Sequence, residues 1–154
     1  MVTNMSATAL LVIDIQRGAF DGVRCPPING STELVANALL LIAAARGAGE
    51  TFIKKYASSA FENTLLGETL KRLKINDVIL CGLQSEFCVR NTGNAAIDRG
   101  YNVRLAQDGH GTWPSGGQSS EVISENVNKE LAARGAMVAS TADLAAMLRA
   151  GRMN

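Results

Sequence analysis

The fold is decided by positions 9 to 14, which read Ala-Leu-Leu-Val-Ile-Asp, an unbroken apolar run followed by a carboxylate. Such a run is typical of a strand that is buried on both faces of a parallel sheet. Positions 77 to 82 read Asp-Val-Ile-Leu-Cys-Gly and predict a second strand of the same kind, which ends on glycine. Two strands of this type indicate an α/β domain.

Between and after these runs the chain alternates helical and strand patterns. A helix is predicted from Ser31, with Glu33 in its first turn and Gly47 or Gly49 as its stop. Further strands are predicted over 51–53, 101–106 and 136–139, and further helices over 64–73, 85–99, 119–134 and 141–149. This alternation predicts βαβ units, a mainly parallel Rossmann-like sheet covered on both faces, and a single domain over 1–154.

Charge and hydropathy exclude several classes of function. The chain has 15 Lys and Arg against 14 Asp and Glu, a formal net charge of +1, and no long run of either sign, so we expect no nucleic-acid partner. The longest apolar run, 38–45, is well short of the ~20 residues that a membrane span needs. The apolar stretch 7–13 lacks a basic leader and a cleavage site, so no membrane association and a cytoplasmic location are expected.

Cysteine and histidine usage limits the chemistry further. Three cysteines cannot all pair within one chain, and they form no CxxC motif, so reduced thiols are expected. Cys81, in mid-strand, is predicted to be part of the core, and Cys25, beside two prolines, an inert loop thiol. A single histidine, His110, excludes a histidine-rich metal site.

Cys88 is the candidate nucleophile. Ligands of parallel sheets bind beyond the carboxyl ends of the strands, at the point where the strand order reverses. This rule selects the positions after 13, 53 and 82. If Ser85 caps the next helix, Cys88 lies in its first turn, where the helix dipole favours a thiolate, although Glu86 opposes this. The alternative is that Cys88 is a small buried hydrophobe, and position alone leaves both interpretations open.

Asp14 and Lys55 are the candidate partners of the thiol. A carboxylate at the end of a buried strand is hydrogen-bonded, paired or functional, unless it is an ordinary cap where the strand meets the loop. Lys55 could neutralise Asp14, and Lys54 competes for that role. Asp14 would take the thiol proton, while the lysine would stabilise the thiolate or a developing oxyanion.

Three stretches strongly resemble the isochorismatase-like cysteine hydrolases and cover their motifs in order. They are ALLVIDIQ at 9–16, KYASSAFENT at 55–64 and GLQSEFCVRNTGNA at 82–95. The resemblance makes Asp14 the base, Cys88 the nucleophile and Lys55 the lysine, because only Lys55 has the family's spacing to the Ser-Ala-Phe motif. It also implies a three-layer α/β/α sandwich, in agreement with the strand and helix pattern.

The resemblance further implies how the site is built. It predicts a cis peptide at Leu83-Gln84 and an oxyanion hole formed by the backbone N–H groups of Gln84 and Cys88. Phe20, Phe61 and Trp113 are candidate pocket walls, with core packing the role of at least one. The substrate-pocket residues assigned in full are Gln16, Phe20, Phe61, Ser85 and Trp113.

The chain departs from the family between Asp14 and Lys55, where relatives have a longer connection with two strands. Residues 49–53 resemble the family's second strand, whereas the sequence from Lys55 resembles the exit from the third, so two distant pieces are joined near 53–54. Either the protein has lost this module or residues are absent from the sequence. We favour the second, because a lysine on a strand displaced by one position would not readily reach Asp14.

The same region carries the aspartate and histidines that bind metal in nicotinamidase relatives. Residues 1–154 contain no equivalent, so we expect no metal and no cofactor, and we predict that His110 is a loop residue near the site. Family members commonly form homo-oligomers that complete each other's pockets, so a homo-oligomer is expected.

The predicted function is cleavage of a C–N bond in a small amide, ureido or carbamoyl compound, through a covalent thioester-type intermediate. One alternative is a non-catalytic assembly or ligand-binding module, for which the short connection is the reason. The other is vinyl-ether hydrolysis of the isochorismatase type, which in this family does not rely on a nucleophilic cysteine. The loops at 17–29 and 111–117 carry no recognisable motif for a particular substrate.

Overall fold

A computed structural model describes residues 7–23, 25–45 and 50–151, and these contain a four-stranded parallel sheet. The strands are β1 (Ala7–Ile13), β2 (Ile75–Leu83), β3 (Asn102–Gly111) and β4 (Met137–Ala139). They lie in the order β1-β2-β3-β4, and every neighbouring pair is parallel. The predicted α/β class with a parallel sheet is therefore confirmed.

Helices cover both faces of this sheet. They are α1 (Ser31–Ala45), α2 (Leu66–Arg72), α3 (Arg90–Asp98), α4 (Ser120–Ala133) and α5 (Thr141–Ala150). A short 3₁₀ turn spans Arg17–Ala19. A five-residue π-helical turn spans Ser85–Val89 and is called the cysteine turn below, because it contains Cys88.

Strand β2 lies at the centre of the core, and its two faces pack against different helices, which gives the fold its three layers. Its side chains alternate between the faces: Val78 and Leu80 pack with α2, α3 and α4, whereas Ile79 and Cys81 pack with α1 and α5. All four side chains are buried, as the unbroken apolar run predicts. The predicted α/β/α sandwich is confirmed.

Serine side chains define where the last two helices begin. The Ser119 hydroxyl accepts a hydrogen bond from the Val122 N–H at the start of α4, and the Ser140 hydroxyl accepts one from the Asp143 N–H at the start of α5. Such caps satisfy N–H groups that have no partner within the helix, so both starts could be predicted from the sequence to within one residue.

Three predictions about the elements are wrong. Residues 51–53 form no strand; Phe52 is 96% exposed, and β1 has no strand partner in the described part of the chain other than β2. Strand β3 continues past its predicted end at 106, so His110 is a buried strand residue and not a loop residue. The described strands follow sequence order, so the site does not lie at a reversal of strand order. The predicted stop of α1 at Gly47 or Gly49 lies outside the described residues.

No helix within residues 7–23, 25–45 and 50–151 is both long enough and apolar enough to cross a bilayer.

Candidate active site

The carboxyl ends of β1 and β2 approach each other closely, and Gly82 makes this possible. Gly82 has φ +123°, and a Cβ atom there would lie 1.9 Å from the Ile13 carbonyl oxygen. Only glycine fits such a position, because any side chain would collide with the backbone of β1. The end of β1, and with it Asp14, is thereby held against the end of β2.

The cysteine turn follows directly. The peptide between Leu83 and Gln84 is cis, as the family resemblance implied. The turn is closed by a hydrogen bond from the Val89 N–H to the Gln84 carbonyl oxygen at 3.1 Å, and α3 begins at Arg90. Cys88 is half-buried within this turn.

The predicted environment of Cys88 differs from the structure in its details. Cys88 lies in the π-helical turn, which continues without a break into α3, so the first turn of this helical segment is not α-helical. Ser85 does not cap a helix, because its fully buried hydroxyl is bonded to His110 and Ser124 instead.

Lys55 brings the three predicted catalytic residues together. Its ammonium nitrogen lies 2.7 Å from Asp14 Oδ2, 3.1 Å from Cys88 Sγ and 3.1 Å from the Ala57 carbonyl oxygen. An ammonium group has three N–H donors, and each of these acceptors can take one. Lys54, the rejected alternative, is exposed, with its nitrogen 5.0 Å from the centre of the Tyr56 ring.

The surroundings of Lys55 favour its charged form. Burial by itself would lower the pKa of Lys55, but hydrogen bonds to Asp14 and Cys88 and their charges outweigh it and raise the pKa above 10.5. The side chain of Lys55 is 14% exposed and that of Asp14 is 27% exposed. A positive charge thus lies against the sulfur in a partly buried place.

Asp14 adopts an uncommon backbone conformation. Its φ is +47°, in the left-handed region that non-glycine residues rarely occupy. Strained conformations of this kind persist where surrounding structure enforces them and concentrate at functional sites. Here the conformation occurs at the residue whose carboxylate binds Lys55.

The residues assigned to a substrate pocket are distributed over four environments. Phe20 and Trp113 pack against the same small apolar cluster, and the Trp113 Nε1–H donates to the Pro26 carbonyl oxygen at 2.8 Å. Phe61 belongs to the main core and stacks on Tyr101 at 5.8 Å. Gln16 is exposed and Ser85 is fully buried. Core packing therefore accounts for Phe61, and full burial keeps the Ser85 hydroxyl away from a substrate. The substrate contacts of Gln16, Phe20 and Trp113 stay predictions.

Sequence reasoning missed a buried polar network beside the cysteine turn. Ser85 Oγ lies 2.8 Å from His110 Nδ1 and 3.0 Å from Ser124 Oγ, and His110 Nε2 lies 2.9 Å from Asn128 Oδ1. Burial lowers the pKa of His110 below 6.5, although the hydrogen bond with Asn128 and the charge of Asp108 raise it. The sequence signal that could have indicated this network is the single histidine close to the end of an apolar strand pattern.

The short connection before Lys55 does not prevent the lysine from reaching Asp14. The 2.7 Å contact contradicts the expectation that a lysine on a displaced strand would not readily reach Asp14, which was the reason for inferring missing residues. Among the described residues, no group of three or more His, Cys, Asp or Glu side chains could hold a metal ion.

Comparison with known proteins identifies relatives of this chain. A family model described as the isochorismatase domain matches residues 48–143, a range that contains Lys55 and Cys88 and begins after Asp14. Streptothricin hydrolase from Streptomyces noursei is 34% identical over 67 residues, which are 44% of this chain and 27% of that protein. The chain thus matches about a quarter of the length of these curated relatives.

Solved structures share most of this architecture. The crystal structure of an isochorismatase from Pseudomonas putida is 28% identical, covers 90% of each chain and has a TM-score of 0.81. N-carbamoylsarcosine amidase from Thermoplasma acidophilum has a TM-score of 0.73 over 87% of this chain and 96% of that chain. Its sequence is 20% identical, so this second likeness concerns the fold.

Proposed function

Because the chain belongs to the isochorismatase family, we propose that it is a cysteine hydrolase that cleaves a C–N bond in a small amide, ureido or carbamoyl compound. One observation carries the proposal: the Lys55 ammonium contacts both the Cys88 sulfur, at 3.1 Å, and the Asp14 carboxylate, at 2.7 Å. A cation against sulfur favours the thiolate, which is the nucleophilic form of cysteine. The carboxylate beside it is suited to move a proton.

The first half of the proposed reaction acylates the enzyme. Asp14 takes the Cys88 proton, and the thiolate attacks the carbonyl carbon of the substrate, so that an S–C bond forms and the carbonyl π electrons move onto oxygen. In the predicted oxyanion hole, the backbone N–H groups of Gln84 and Cys88 hold that oxygen. The C–N bond then breaks, and the amine leaves with the proton from Asp14.

The second half releases the acid. Asp14, again a carboxylate, removes a proton from water, and the resulting hydroxide attacks the thioester carbon. The C–S bond breaks, and Cys88 leaves as a thiolate beside Lys55, ready for another turnover. Lys55 stays protonated in this scheme, which its raised pKa supports. Its role is electrostatic, since it stabilises sulfur each time sulfur carries the charge.

The fold likeness to an amidase is consistent with this substrate class but does not transfer its substrate. The similarity to streptothricin hydrolase supports a hydrolase assignment, but it covers only 27% of that protein. The small-molecule substrate, the cytoplasmic location and a homo-oligomeric assembly belong to the same proposal.

The experiment is a screen of small amides, ureas and carbamoyl compounds for ammonia release. A hit is retested with Cys88→Ala, which we expect to lower turnover by more than ~10³-fold, as removal of a covalent nucleophile does. Cys25→Ala is the matched control, because Cys25 is bonded to the Gly18 carbonyl oxygen and not to Lys55. Ammonia release that survives Cys88→Ala would contradict the mechanism. An intact protein that releases no ammonia and resists iodoacetamide at Cys88 would favour the non-catalytic module.

A further inference from the structure

A chain of hydrogen bonds links the cysteine turn to strand β3 and helix α4. It starts at Ser124 on α4, passes through Ser85 in the turn and His110 on β3, and ends at Asn128 on α4. Ser85 is 0% exposed and His110 is 5% exposed. None of these four side chains has a role in the proposed chemistry.

The donors and acceptors of the chain follow from its geometry. A carbonyl oxygen only accepts, so with Asn128 Oδ1 at 2.9 Å the proton of a neutral imidazole lies on His110 Nε2. His110 Nδ1 then accepts, and the Ser85 hydroxyl donates to it across 2.8 Å. The Ser85 oxygen remains free to accept from the Ser124 hydroxyl at 3.0 Å. Each side chain thus has a defined orientation.

The arrangement of Ser85, His110 and Asn128 resembles a serine nucleophile with its base, but it cannot act as one. Ser85 is fully buried, so no substrate atom reaches its oxygen. Ser85 is instead the first residue of the turn in which Cys88 lies three positions later. A fixed Ser85 therefore fixes the start of the segment that carries the sulfur.

We propose that the chain formed by Ser124, Ser85, His110 and Asn128 holds the cysteine turn in place, its members acting as positioning residues. Held in this way, Cys88 Sγ stays within hydrogen-bond distance of Lys55. This inference rests on the proposed role of Cys88 as the nucleophile. The distance between Sγ and the Lys55 nitrogen is 3.1 Å, and an outward shift of ~1 Å would end the contact. A displacement of that size in an active site can lower a rate by ~10²-fold.

The test measures the reactivity of the thiol and needs no substrate. The full chain carrying Cys25→Ser is alkylated with iodoacetamide between pH 5 and pH 9, and the rate at Cys88 is followed by mass spectrometry. Cys81 does not interfere, because burial raises its pKa to about 12. Urea unfolding of each variant establishes that the reacting protein is folded.

Ser85→Ala removes the donor to His110, and we expect alkylation at pH 7 to fall by at least ~10-fold, with the pH profile displaced upward. Ser85→Thr keeps the hydroxyl and is expected to stay within about threefold of the parent rate. A purely structural role would lower the urea midpoint and leave the rate of the folded protein unchanged. Folded Ser85→Ala with the parent rate and profile would overturn the proposal.

Two serines on α4 provide a matched pair in case Ser85→Ala does not fold. Ser124→Ala removes the bond to Ser85, and we expect alkylation to fall by about threefold or more. Ser120→Ala makes the same chemical change one turn earlier, where the hydroxyl bonds to Glu121 and Asn29, and should have no effect. Equal rates in the two variants would overturn the proposal. Alkylation tests this proposal and ammonia release tests the proposed function, so either one can fail without the other.

Discussion

Replacing Lys55 with methionine removes the positive charge that Cys88 and Asp14 share while keeping an unbranched apolar stem. The Cys88 sulfur loses a cation 3.1 Å away, and the Asp14 carboxylate, 2.7 Å from the same nitrogen, loses its partner. Both changes disfavour a negative charge on sulfur, since the unpaired carboxylate adds repulsion. We therefore expect Lys55→Met to suppress the reactivity of the thiol at neutral pH.

The distance sets the size of the effect. Two unit charges 3.1 Å apart interact by about 1 kcal/mol at the dielectric constant of water and by about 5 kcal/mol at an effective dielectric constant of ~20. Because the Lys55 side chain is only 14% exposed, the real environment lies between these limits and away from the aqueous one. Since 1.4 kcal/mol corresponds to a factor of about 10, the rate of Cys88 alkylation at pH 7 should fall by at least ~10-fold.

The assay is iodoacetamide alkylation of Cys88 under pseudo-first-order conditions, with the amide screen as a second readout once a substrate is found. Lys54→Met is the matched control, because it removes the same charge from the neighbouring position. Lys54 lies over the exposed ring of Tyr56 and not at the sulfur, so its loss should change the rate by less than about twofold. A folded Lys55→Met that alkylates as fast as Lys54→Met would refute the electrostatic role of Lys55.

Three further predictions concern stability and are measured by urea unfolding. Gly82→Ala should destabilise the protein by more than about 3 kcal/mol, because the new Cβ would lie 1.9 Å from the Ile13 carbonyl oxygen. A smaller loss of stability would mean that β1 and β2 can move apart at this point. Leu80→Ala should lose about 2–5 kcal/mol, because Leu80 is fully buried in the main core, and a loss below this range would contradict that packing. Burial lowers the pKa of His110 below 6.5, so in acid the unfolded chain binds a proton that the folded protein does not. The free energy of unfolding should therefore fall as the pH drops below about 6.5, by up to about 1.4 kcal/mol per pH unit. His110→Leu should lose this component of the pH dependence, and an unchanged slope would assign it to other groups.

The fold could be predicted from the sequence because its signals are local. The unbroken apolar run of β2 predicts a doubly buried strand whatever lies around it, and Ser119 and Ser140 mark helix starts through caps within three residues. The strand predicted at 51–53 failed for the opposite reason. A strand requires a neighbouring strand to pair with, and the described sheet offers none to residues 51–53. The sequence of these residues carries no signal of that lack.

The residues of the candidate site also differ in whether a local sequence signal locates them. Asp14 and Cys88 could be located because they follow buried strands, and Lys55 because its spacing matches a family motif. The Ser85 hydroxyl was assigned to a helix cap because capping is the commonest local use of serine before a helix. Its actual partners, His110 and Ser124, are 25 and 39 residues away in the chain, and no local pattern predicts a contact at that separation.

The position of Lys55 is set by the segment that follows it and not by a strand that precedes it. Asn91 on α3 donates from Nδ2 to the Ser58 hydroxyl at 2.8 Å, and Thr92 on α3 accepts from the Ala60 N–H at 3.0 Å. These bonds attach the residues after Lys55 to the helix that directly follows the cysteine turn. Lysine and sulfur therefore share one structural support, which explains how the lysine meets Asp14 although residues 51–53 form no strand. The geometry of the site depends on α3 and on the close approach of β1 and β2 at Gly82, so a short connection before Lys55 is compatible with an assembled active site.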